Sequence, residues 1–344
     1  KKSIIINFSW HISKEIKKYL KKIKVKNKVI NIITYKDFIK DWLINYTVKN
    51  NETKELVLIG GGRWAKIYLE ELIKKKIKIN IITSNNNLIK FFTNYKFKNY
   101  KIYRKLIDID IKRKFYIIVS SATKDRLNII QKISSLKNQI LIEKPLTNNP
   151  NNYFKYKLNK KNMYLSLQFS FAKYFILIKN QIKKEKIESL NMDWFDNKNE
   201  KKTFNKKINF IEDAYYHFFS IVRIFIDNKN LIHSHANIKK NQINSTFNNT
   251  KITLNASKNK TVKKRLLIIK TNKNKFIINF KNIDKIFIKK NKNPNMKIIK
   301  NIKNIPIQVN NFLLENNEIK KNSLKNLKYL FNDLIIIRNE LKKN

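Results

Sequence analysis

Short apolar runs alternate with stretches of 3.6-residue periodicity through the first part of the chain. Runs at 3–8, 29–34, 55–59, 77–82, 115–119 and 139–142 have strand length, and helical spacing follows at about 12–23, 36–47, 64–75 and 124–135. Repeated β-α units predict a parallel sheet with right-handed crossovers and a ligand crevice at the carboxyl ends of its strands. After residue 150 the pattern changes. It predicts a strand around 163–169, a helix over 172–184 and a strand near 187–194, then a charged stretch at 197–207 and a helix from Asp213 to Ile226. Strands at 231–238, 250–257, 262–270 and 274–280 read as antiparallel hairpins, and Ser323 to Leu341 as a closing amphipathic helix.

Glycine sharpens this picture. The chain has three glycines in 344 residues, and all three stand together at Gly60-Gly61-Gly62, between the run Glu55–Ile59 and the helical stretch from Trp64. Gly60-x-Gly62-x-x-Ala65 fits the dinucleotide fingerprint. The first glycine permits the turn, the second lets a pyrophosphate approach the backbone, and Ala65 lets the helix lie close on the strand. The helix opened by Arg63 and Trp64 offers free N–H groups to phosphate, and Trp64 is expected to flank the cofactor. Thr83, Ser84, Ser120, Ser121, Glu143 and Lys144 follow other strand ends and are expected to line the same crevice.

Two further constellations bear chemistry. In Glu143-Lys144-Pro145 a lysine follows a strand end on a rigid turn, where its ammonium can hydrogen-bond a substrate oxygen and stabilise developing charge. In Asp213-Ala214-Tyr215-Tyr216-His217 the i,i+4 spacing sets a carboxylate and an imidazole on one helix face, an arrangement suited to general acid–base work and also met as a plain structural pair. His233 and His235 lack a nearby carboxylate or third histidine and read as surface; no metal site is expected. Trp10, Trp42 and Trp194 read as core.

The glycine fingerprint, Ile118-Val119-Ser120-Ser121-Ala122-Thr123, Ile140-Leu141-Ile142-Glu143-Lys144-Pro145-Leu146 and Asp-x-x-x-His together resemble the Gfo/Idh/MocA family of NAD(P)-dependent oxidoreductases over about residues 55–330. The resemblance implies an α/β chain: an N-terminal Rossmann dinucleotide-binding domain followed by an α+β domain with a large, mostly antiparallel sheet. The expected boundaries are an extension at 1–52, the Rossmann domain at 53–148 and the substrate-binding domain at 149–344. It also implies that Lys144 contacts substrate near the nicotinamide and that Asp213 and His217 serve proton transfer. The expected activity is hydride transfer between nicotinamide and a hydroxyl/carbonyl carbon of a small molecule of sugar or cyclitol type. A biosynthetic imine or ketone reductase is the alternative, and a homo-oligomer (dimer or tetramer) is expected. Arg126 or its neighbours stand where members often carry a histidine after the serine-rich turn, and the glycines usual before the Asp-x-x-x-His helix are absent.

An acid about 20 residues past the glycines marks NAD specificity. Here Thr83-Ser84-Asn85-Asn86 carries none and Lys90 follows, so of NADP and NAD the former is preferred. Lys+Arg 76 against Asp+Glu 24 gives a net charge of +52, which by itself points to nucleic acid. Only seven of these are arginines (63, 104, 113, 126, 223, 265, 338), and the lysines are dispersed. That is the signature of A/T-biased codons, so no specific nucleic-acid partner is expected. Cysteine is absent, which removes disulfides and thiolate sites. No apolar run has membrane-spanning length and no signal peptide is visible, so no membrane partner and a cytoplasmic location are expected. A cofactor-binding scaffold without catalysis is the rival from another class.

Overall fold

A computed structural model of the chain describes residues 4–7 and 28–31 and, between 55 and 343, all residues but 76, 94–98, 110–114, 135–137, 198–207, 227–236, 240, 248, 283–284, 292–296 and 301–303. The chain forms two compact units, Lys1–Thr53 and Lys54–Asn344. In the first, β1 (Ile4–Asn7) and β2 (Lys28–Asn31) pair in parallel, Ile4 beside Lys28. The helices expected at 12–23 and 36–47, with Trp10 and Trp42, lie outside the described residues, as do His233, His235 and most of the strand expected at 231–238.

The second unit opens with a parallel sheet: β3 (Leu56–Ile59), β4 (Ile79–Ile82), β5 (Tyr100–Tyr103), β6 (Tyr116–Val119), β7 (Gln139–Ile142) and β8 (Met163–Leu165), in the order β5-β4-β3-β6-β7-β8. β3, β4, β6 and β7 are buried at every position, as strands covered on both faces must be. The chain winds outward from β3 to β5, then returns to β6 and winds the other way. The order therefore reverses between β3 and β6, the switch point at which such sheets bind ligands. The sheet also takes a strand, β8, from beyond residue 148.

Its helices are α1 (Arg63–Lys74), α2 (Asn86–Thr93) and α3 (Thr123–Ser134). α1 buries Ala65, Tyr68, Leu69 and Leu72, the i, i+3, i+4, i+7 stripe that a helix lays on a sheet. α4 (Lys173–Gln181) and α5 (Phe210–Phe225) belong to the second layer. α5 begins where Asn209 accepts a hydrogen bond from the Ile211 N–H, with Glu212 and Asp213 in its first turn. It is buried on nearly every face, so it is a central helix rather than a surface one.

α5 packs on a large mixed sheet ordered β10-β11-β12-β9-β13-β14-β15-β16 among the described residues. Its strands are β9 (Ile187–Asn197), β10 (Asn237–Lys239), β11 (Gln242–Phe247), β12 (Thr250–Lys260), β13 (Lys264–Thr271), β14 (Lys275–Asn279), β15 (Lys285–Lys290) and β16 (Lys297–Lys300). Every pairing is antiparallel except β9 with β12. Burial alternates along β9 and β13, so Leu190, Met192, Trp194, Arg265, Leu267 and Ile269 face inward.

After the large sheet come α6 (Asn304–Leu313) and α7 (Lys328–Lys343). α6 returns to the parallel sheet, where Val309 and Phe312 join Tyr68, Leu72 and Tyr116 in one apolar cluster. The Phe312 ring meets Tyr116 edge-on at 5.6 Å.

Candidate active site

Backbone hydrogen bonds set the strand ends of the parallel sheet level with one another. The Thr83 N–H donates to Tyr103 O (3.0 Å), Gly60 to Ile82 O (3.0 Å), Ser120 to Ile59 O (2.8 Å) and Glu143 to Val119 O (2.9 Å). Gly60, Thr83, Ser120 and Glu143 thus share one edge.

The three glycines have separate reasons for being glycine. Gly60 has φ +140°, and a Cβ there would lie 2.7 Å from the Ser120 carbonyl carbon. On Gly61 a Cβ would meet Thr83 Oγ1 and Asn85 Cβ at 2.6 Å. Gly62 has an ordinary φ of −88°, and a Cβ on it would meet no protein atom within 4 Å. Gly62 is the N-cap of α1, without a side-chain cap, so the first N–H groups of the helix open onto that space. Ala65 is buried; Arg63 is exposed and Trp64 half-buried beside them. Ser121 Oγ, at the end of β6, is buried and has no hydrogen-bond partner among the described residues. A close-approach turn, an uncapped helix start and an orphaned hydroxyl fit a bound dinucleotide phosphate.

Arg126 organises the neighbouring turn. It is buried on α3 and donates to the carbonyls of Ser121, Glu143 (2.7 Å) and Pro145. It therefore clamps the turn after β6 to the turn that carries Lys144, a role invisible in the sequence. The Glu143 carboxylate is engaged within the fold. It is buried and accepts from Tyr68 Oη of α1 at 2.8 Å, while Tyr68 also meets Ser166 Oγ at 2.8 Å. Burial pushes the Glu143 carboxyl up from its ordinary range. Its side chain ties the turn to Tyr68 of α1.

Lys144 points the other way. Its ammonium donates to Asp213 Oδ1 of α5 at 2.7 Å, the side chains being 10% and 25% exposed. Residues of the parallel sheet and of the central helix of the second layer thus meet in one ion pair. Asp213 and His217 stand four residues apart on α5, and the Asp213 hydrogen bond goes to Lys144. His217 lies one turn further along α5, 8% exposed, with no side-chain hydrogen bond among the described residues. It is held by rings: Trp194 of β9 stacks on it at 4.5 Å and 19°, and Phe169 meets it edge-on at 5.2 Å. Trp194 also carries the Arg265 guanidinium, 3.8 Å from its centroid, and Arg265 pairs with Asp196. Burial first, then the charges of Lys144 and Arg265, hold the imidazole well below the ordinary histidine range. The site therefore presents a cation and a neutral base side by side. Trp194 is buried as expected, yet it belongs to this site as well as to the core.

No protein-family model and no curated protein matches the sequence. Solved structures do match. A Gfo/Idh/MocA family oxidoreductase from Vibrio cholerae aligns at 11% identity and TM-score 0.64, over 84% of this chain and 99% of that one. A 3-ketoreductase from Actinomadura kijaniata, in complex with TDP-benzene and NADP, aligns at 12% and 0.64, over 82% and 96%. A UDP-N-acetylglucosamine 3-dehydrogenase from Acidithiobacillus ferrooxidans aligns at 11% and 0.63, over 84% and 98%. At identities this low the likeness establishes the fold: a Rossmann sheet followed by a large mixed-sheet domain, as in these oxidoreductases.

Proposed function

We propose that the chain is an NAD(P)-dependent oxidoreductase, and that Lys144, Asp213 and His217 are its catalytic residues. The observation that carries this reading is the Lys144–Asp213 pair beside a neutral, ring-held His217, at the carboxyl edge that also bears the Gly60–Gly62 turn. When bound there, the nicotinamide supplies or accepts a hydride. Gly60, Gly61, Gly62, Arg63, Trp64, Ala65, Thr83, Ser84, Ser120 and Ser121 form the dinucleotide side of the crevice. The uncapped start of α1 favours the pyrophosphate, and Ser121 Oγ gains the partner it lacks.

On the substrate side, Lys144 donates a hydrogen bond to the oxygen or nitrogen on the reacting carbon and stabilises negative charge developing there. Asp213 holds the ammonium in place. His217 accepts the proton leaving a hydroxyl in oxidation; in reduction the same imidazole, once protonated, returns it. The Trp194 and Phe169 rings exclude water from one side of the imidazole.

The solved 3-ketoreductase and 3-dehydrogenase named above support a substrate of sugar or cyclitol type, and NADP in the former supports that cofactor here. A ketone or imine reductase uses the same groups on a different carbon. A non-catalytic scaffold has no need for a half-buried lysine paired across two layers. The charge of +52 follows from lysine-rich composition, and no specific nucleic-acid partner is assigned. Among the described residues no helix is long and apolar enough to cross a membrane; we assign the chain to the cytoplasm. Leu266, Ile268 and Ile277 on the outer face of the large sheet support self-association as a dimer or tetramer.

The test is kinetic. Lys144→Met and His217→Asn are each expected to lower kcat by about 10²-fold or more, with dinucleotide affinity within a few-fold. The double variant should lose less than the product of the two, because both groups serve one step. Full turnover by Lys144→Met would remove the assignment.

A further inference from the structure

The cation expected near the ribose end of the crevice was Lys90, but Lys90 lies in the last turn of α2. The structure brings a different residue to the loop after β4. Arg104 follows β5, whose neighbour in the sheet is β4, and the Tyr103 carbonyl beside it accepts the Thr83 N–H. From there the exposed Arg104 side chain lies along residues 84–86. Its Nη1 donates to Asn86 Oδ1 at 3.0 Å and to the Ser84 carbonyl at 3.4 Å. Its other donors meet no partner among the described residues.

This loop adjoins the glycine turn. Asn85 Nδ2 donates to Gly61 O at 2.5 Å, and Thr83 and Asn85 pack so close that Gly61 has no room for a Cβ. A pyrophosphate on the turn therefore leads its ribose toward residues 83–86 and the guanidinium. In dinucleotide-binding sheets this position takes the ribose 2′ oxygen: a carboxylate there accepts from a hydroxyl and repels a phosphate. Thr83-Ser84-Asn85-Asn86 contains no carboxylate, and the hydroxyl-bearing Ser84 is exposed. A guanidinium with unengaged N–H groups matches a phosphate dianion by two parallel charge-assisted hydrogen bonds and offers nothing comparable to a lone hydroxyl.

We infer that Arg104, assisted by Ser84, is the specificity-determining residue that selects a 2′-phosphorylated dinucleotide. This rests on the dinucleotide reading of the crevice, and the experiment separates the two. The full chain is titrated with NADPH and NADH by nicotinamide fluorescence, and with adenosine 2′,5′-bisphosphate and adenosine 5′-monophosphate by calorimetry. The wild-type chain is expected to bind NADPH about tenfold or more tighter than NADH, the size of a charge-assisted contact. Arg104→Gln should weaken NADPH and the bisphosphate about tenfold or more, leaving NADH and the monophosphate within about twofold. Arg104→Lys should recover part of the loss, keeping charge without the planar fork. Unchanged NADPH binding in Arg104→Gln, or an equal loss for NADH, would overturn the inference while the dinucleotide reading stands. A wild-type chain that binds neither dinucleotide would overturn both.

Discussion

Burial and two cations, Lys144 and Arg265, keep the His217 imidazole neutral where an ordinary histidine titrates. Removing one cation has a defined sign. In Lys144→Met the imidazole pKa should rise toward the ordinary value of about 6.5 yet stay below it, because burial is the larger cause. Carbon-edited NMR of the His217 ring against pH reads this directly; a lower pKa in the variant would contradict it. The same depression makes stability depend on pH. Below about pH 6.5 the unfolded chain protonates this histidine before the folded one does, so stability falls as pH falls. Comparing wild type with His217→Gln at pH 7.5 and 5.5 by urea midpoint isolates the contribution, and the variant should lose less. The i,i+4 spacing of Asp213 and His217 was legible because helix geometry is local. The partner of Asp213 was not, since Lys144 arrives from another layer of the fold. The burial of Glu143 was hidden for the same reason, being decided by Tyr68 across the sheet.

Among elements, α6 shows what periodicity left out. Ile305, Val309, Phe312 and Leu313 are spaced as a helix, but the segment is short, carries Pro306 and stands among Lys- and Asn-rich stretches. Its stability comes from the face of the parallel sheet it covers, which local sequence does not describe. Phe312 is fully buried there, against Tyr116 and Tyr164. Phe312→Ala should cost about 3–5 kcal/mol of unfolding free energy, measured by urea denaturation. A loss below about 1 kcal/mol would show that α6 is not part of the core. The parallel strands were legible for the opposite reason. Each is a continuous apolar run because both its faces are covered, and the runs at 55–59, 77–82, 115–119 and 139–142 recur as β3, β4, β6 and β7. The strand expected over 163–169 ends at Leu165, since Gln168–Phe171 coils into a 3₁₀ turn that sets Phe169 against His217.

For the molecule as a whole, the charge of +52 and the scarcity of glycine are matters of composition. The three glycines stand together at the edge of the parallel sheet where such folds bind ligands. Gly60 and Gly61 are glycine for the protein's own packing, but Gly62 is not: its φ is ordinary and its Cβ position is open. Gly62→Asp is therefore the most direct test of the account. Aspartate at the N-cap of α1 suits the helix and should keep or slightly raise Tm, by roughly a few tenths of a kcal/mol of stability. Its carboxylate would then occupy the N–H groups and repel the phosphates that the account places there. Titrated with NADPH, the wild-type chain should bind saturably and Gly62→Asp should lose affinity by about tenfold or more with its fold intact. If Gly62→Asp binds NADPH as tightly as wild type, or if wild type binds neither NADPH nor NADH, the crevice is not a dinucleotide site and the account is wrong.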